Sequence, residues 1–99
     1  MIKLYKGISV SEGTMVGLVE CDLDLDAERC IIMDRNTMTV FANAKVNTSG
    51  VLKRIIPREY AVNNHLLIGI IDDTGEFNAV FADGVKAQLV DINTVDMSQ

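Results

Sequence analysis

The sequence has no tryptophan, one proline (Pro57), one histidine (His65) and two cysteines (Cys21 and Cys30). Each scarcity excludes something. A single proline leaves strand interiors nearly free of the residue that removes a ladder donor. One histidine and two cysteines fit neither a zinc pattern nor a CxxC redox motif. There is no G-x-S-x-G elbow and no H-E-x-x-H pair. The chain therefore reads as a non-enzyme without metal or cofactor. Its longest apolar run, Leu66 to Ile71, is too short to cross a bilayer, so no membrane association is expected. Residues 1–7 carry two lysines but no apolar segment of signal-peptide length, which points to the cytoplasm. Without a secretory address, Asn47-Thr48-Ser49 is a chance sequon.

A chain of 99 residues allows one domain, 1–99, with a tail that frays from about residue 94. Hydrophobic residues make up 48%, too many for a disordered chain. Fourteen acids against nine Lys and Arg leave a formal charge of −5, which argues against direct nucleic-acid binding.

Turn signals recur at Ser11-Glu12-Gly13, Asp34-Arg35-Asn36, 47–50, Asp72-Asp73-Thr74-Gly75 and Asp83-Gly84. Runs rich in Val, Ile, Thr and Phe lie between them, and they alternate with period two. That pattern predicts an all-β domain of seven to eight mostly antiparallel strands, closed as a small barrel or folded as a sandwich, with a meander-like order. The expected core is Ile2, Leu4, Ile8, Val19, Leu23, Ile32, Val40, Ile68, Ile70, Phe77, Phe81, Val85 and Leu89. Leu66 to Ile71 is apolar on both faces, as in a central strand covered on both sides. Asp83-Gly84 predicts a two-residue hairpin turn, and Asp72 to Gly75 a four-residue loop. Arg58 to Val62 can form one helical turn after Pro57.

The segment Glu20-Cys21-Asp22-Leu23-Asp24-Leu25-Asp26-Ala27-Glu28 holds five acids, all at even positions. On one extended strand they would project from a single face about 6.8 Å apart, with Leu23 and Leu25 beneath. The plain interpretation is a solvated face that guards an edge. The functional one is a docking strip, Glu20, Asp22, Asp24, Asp26 and Glu28, for a basic macromolecule or a second copy. A calcium loop would need glycine and polar residues where Leu23 and Leu25 stand. Cys21 and Cys30 read as reduced apolar thiols; a tight turn at 25–26 would instead set them opposite each other on paired strands, within reach of a bridge.

Lys45, Lys53, Arg54 and Arg58 make a basic stretch. An anion pocket of Lys53, Arg54, Arg58, Tyr60, Asn63, Asn64 and His65 would bind a nucleotide or similar ligand. Complementary acidic and basic segments, in a domain this small, predict a homo-oligomer. The leading expectation is an acidic interaction module: an inhibitor, an adaptor, an assembly component or a viral accessory protein. A small-ligand binding or sequestering protein is the alternative.

Overall fold

Seven alternating runs become strands in a computed structural model, which describes residues 14–98. They are β1 (Met15–Asp22), β2 (Arg29–Asp34), β3 (Val40–Lys45), β4 (Val51–Ile56), β5 (Leu66–Ile71), β6 (Val80–Val85) and β7 (Gln88–Asp91). A single 3-10 turn, Arg58–Ala61, follows Pro57, where the missing donor ends the ladder. The strands form two antiparallel sheets, ordered β4-β1-β7 and β3-β2-β5-β6. The architecture is sandwich-like and not a closed barrel. β2–β3 and β5–β6 are hairpins within one sheet, whereas the other connections pass between sheets. The expected strand carrying Ile2, Leu4 and Ile8 lies outside the described residues.

The core lies between the sheets. Val19, Leu52 and Ile56 come from one sheet, and Cys30, Ile32, Ala42 and Leu66 from the other. Tyr60 and Ala87 close it from the connections. Cys30, Ile32 and Leu66 are fully buried. Register explains the inward row of β2: Cys30 pairs with Ile70, Ile32 with Ile68 and Asp34 with Leu66. Ile68, Leu23 and Val85 pack partly buried against this cluster.

Two bulges correct the expected core. Ile32 pairs with Ala42 but Met33 pairs with Val40, so Phe41 is an extra residue on β3. One inserted residue reverses the phase of the alternation. Val40 therefore turns outward and is exposed, while Phe41 packs edge-on against Tyr60, with ring centroids 5.0 Å apart. The second bulge is Asp83-Gly84 itself. Leu66 pairs with Val85 and Ile68 with Ala82, which leaves one residue too many on β6. Gly84 has φ +72°. The positive φ read as a hairpin turn is used instead inside a strand, as in a glycine bulge.

Phe81 is also outward. It stands across from Gly69, and its ring occupies the space above that glycine, where a Cβ would come within 2.2 Å. Phe77 precedes β6 in the exposed connection 72–79, longer than the four-residue loop expected, and Leu89 is half exposed on β7. Cys21 and Cys30 are not on paired strands, because β1 and β2 belong to different sheets. The turn at 25–26 makes a crossing and not a hairpin.

Truncating the most enclosed side chain tests this account of the core. Ile32→Ala should lower unfolding free energy by about 2–5 kcal/mol, measured by urea denaturation, because the rigid neighbours cannot refill the space.

Candidate interaction surface

The five acids do not stay on one strand. β1 ends at Asp22, since the chain must leave one sheet to enter the other. Glu20 and Asp22 lie on β1, and Glu20 stands directly across from Lys53 on β4. The acidic and basic segments thus meet within a single chain. Asp24 Oδ1 accepts the Asp26 N–H at 2.9 Å and shapes the turn. Leu25, expected beneath the strip, is 66% exposed at the turn. Glu28 Oε1 accepts the Asp73 N–H at 2.7 Å, which ties the start of β2 to the β5–β6 connection. Its carboxylate is thus occupied in holding a loop.

Four of the acids nevertheless share a surface. β7 pairs with β1 only over Met15 to Leu18, so among the described residues Val19 to Asp22 have a neighbour on the β4 side alone. The space between the sheets opens there as a groove of about 490 Å³, with Val19, Cys21, Ile68, Ile70 and Val85 in its walls and Glu20 and Asp22 beside them. A second cavity of about 350 Å³ is lined by Asp24, Asp26, Asp72, Ile71, Phe77 and Asn78. Ile70 and Val80 line both, so the two form one trough. Its walls are mostly apolar, its acids come from β1, the β1–β2 turn and the β5–β6 connection, and Lys86 lines it as well. Asp72 is held below the ordinary carboxylate range, first by the Thr74 hydroxyl at 2.7 Å and then by the Thr74 and Phe77 N–H groups. It stays ionised at neutral pH.

The residues of the expected anion pocket are dispersed, and none of the seven lines either cavity. Lys53 faces outward opposite Glu20, and its Nζ donates to the Asp96 carbonyl at 3.0 Å. Arg54 is paired with buried Val19, on the opposite face of β4. Arg58 is exposed on the 3-10 turn. Asn63 Oδ1 accepts the His65 N–H at 3.2 Å, and Asn64 is exposed. Tyr60 is buried, and its hydroxyl donates to Asp34 Oδ2.

That Tyr60–Asp34 contact is the polar centre that sequence reading missed. Asp34 Oδ1 also accepts the Asn36 and Thr37 N–H groups at 2.7 and 3.1 Å. The turn signal Asp34-Arg35-Asn36 was visible; its partner 26 positions away was not. Two bidentate ion pairs brace the larger sheet, Arg29 with Asp73 and Arg35 with Asp83. Among the described residues there is no group of three or more His, Cys, Asp or Glu side chains placed to hold a metal ion, and no helix long and apolar enough to cross a membrane. No family model matches the chain, and neither a curated protein nor a solved structure matches it.

The Tyr60–Asp34 bond shifts both groups. Donation from Tyr60 holds the Asp34 carboxyl below its usual range, and the same bond, with burial, pushes the Tyr60 phenol up to about 12. The signs are opposite. Asp34 contributes stability present above the ordinary carboxyl pKa and lost as pH falls through its lowered folded value. Tyr60 contributes stability present below the ordinary phenol pKa and lost as pH rises through about 12. An alkaline absorbance titration should show a tyrosine ionising near 12, and Asp34→Ala should return that step toward the ordinary phenol value.

Proposed function

We propose that the protein is a non-enzymatic interaction module that docks a basic, partly apolar segment of a partner protein in the acid-rimmed trough. The observation that carries this reading is the alignment of Glu20, Asp22, Asp24 and Asp26 along apolar walls. Lys and Arg side chains match such a surface, because an aliphatic stem packs on apolar groups while the charged head reaches a carboxylate. Among the described residues the edge of β1 is only half paired, which adds backbone groups that an extended segment can use, as in strand addition. The role fits an inhibitor, an adaptor or an assembly component.

Self-association belongs to the same reading. The outer face of the β3-β2-β5-β6 sheet presents Val40, Met33, Ile31, Leu67 and Phe81. Val40 and Phe81 are 53% and 45% exposed in the single chain. Outer faces of sandwiches ordinarily alternate to polar residues. A second copy laid on this face would cover the other side of β5.

A fluorescent peptide alternating lysine with valine is a direct probe. The triple reversal Asp22→Lys, Asp24→Lys, Asp26→Lys should weaken its binding at least about tenfold by anisotropy, with the urea midpoint retained. Undiminished binding by a folded triple variant would reduce the strip to a solvated face. Sedimentation should give a species larger than the single 10.9 kDa chain, and Val40→Lys should return it to that mass. A monomeric parent protein at micromolar concentration would remove the self-association.

A further inference from the structure

We infer that Cys21 and Cys30 form a thiol pair that a small cationic disulfide converts into a covalent bridge between the two sheets. Cys21 lies on β1 and Cys30 on β2, in different sheets. Both turn into the interior: Cys21 pairs with buried Leu52, and Cys30 lies in the row with Ile32. Cys21 packs against the core cluster that contains Cys30, and the two thiols lie close enough to shift each other's pKa. Both thiols are free.

Their accessibility differs in the way a sequential exchange requires. Cys21 is half-buried and lines the open groove, whereas Cys30 is fully buried behind it. The first thiol can be reached from solvent and the second only through the first. Interaction with Cys30 also lowers the Cys21 pKa, against burial and the charges of Asp22 and Glu20, and interaction with Cys21 together with burial raises that of Cys30. The reachable sulfur is therefore the better nucleophile.

The exchange balances with one disulfide as oxidant. The Cys21 thiolate attacks one sulfur of R–S–S–R, forming a mixed disulfide and releasing one R–S⁻, which takes up the proton lost from Cys21. Cys30, on losing its proton, attacks Cys21 Sγ, displaces the second R–S⁻ and leaves the Cys21–Cys30 bond. Two protein thiols lose two electrons and two protons, and the reagent is reduced to two thiols. Glu20 and Asp22 line the same groove and outnumber Lys86, the one cation lining it among the described residues, while Arg54 acts only on the buried Cys30, so a cationic reagent is favoured there over an anionic one.

The test exposes the full chain to cystamine, hydroxyethyl disulfide or oxidised glutathione at low salt, followed by intact mass and peptide mapping. The expected product is about 2 Da lighter than the reduced chain and carries linked Cys21 and Cys30 peptides. Rates should fall from cystamine through hydroxyethyl disulfide to oxidised glutathione, and converge as salt is added. Cys30→Ala should stop at a mixed disulfide on Cys21, and Cys21→Ala should be inert while folded. A stable adduct on the unaltered chain would overturn the inference. So would a cystamine rate no greater than that of oxidised glutathione, or a folded Cys21→Ala chain that reacts as fast as the parent. The unaltered chain decides between bridge and adduct without either variant.

Discussion

Everything in this structure is arranged around the inward row of β2. Cys30 and Ile32 have no solvent exposure, and Asp34 ends the row with its carboxylate on Tyr60. β2 lies inside the larger sheet, with β3 on one side and β5 on the other. Its inner residues are what Val19 and Leu52 of the smaller sheet pack toward. Apolar burial supplies the attraction, and it has no direction of its own. The Tyr60–Asp34 bond adds direction, because a buried carboxylate must be satisfied and the connection after β4 supplies the donor for its second oxygen.

The trough follows from unequal pairing. The smaller sheet has three strands, and its last covers only half of β1. The larger sheet extends past it to β6. Apolar side chains of Ile68, Ile70 and Val80 therefore border a space that, among the described residues, nothing from the opposite sheet fills. Carboxylates arrive at that space by three separate routes: the outer positions of β1, the turn that carries the chain between sheets, and the connection after β5. A charge pattern that looked linear in the chain becomes a rim in space.

How much of this could be read in the residues depended on the range of the interaction. Alternation revealed the strands, and it placed Val19, Ile32, Ile68 and Val85 inward. The lone proline marked the end of β4 and the turn beyond it. Each bulge defeated the same rule by shifting the phase one residue, so Val40 and Phe81 were assigned to the wrong face. Asp83-Gly84 was legible as a positive-φ site, but that dipeptide serves a turn and a bulge equally well, and only the register with Leu66 and Ile68 distinguishes them. The acids at 20 and 22 were correctly seen as strand neighbours; those beyond were not, since no local signal says which sheet the next strand joins. The same ignorance hid the partner of Tyr60 and left a hairpin that would oppose Cys21 and Cys30 open as an alternative.

The link from β6 to β7 is only Lys86 and Ala87, and Ala87 is buried with its N–H on the Tyr60 carbonyl at 2.7 Å. Three extended steps, from Val85 to Gln88, span at most about 11 Å, close to the roughly 10 Å between stacked sheets. The strap is nearly taut, so it behaves like the stitched spine of a book. Opening of the two leaves along that line is resisted by the strap, and the crossing at 23–28 ties them a second time.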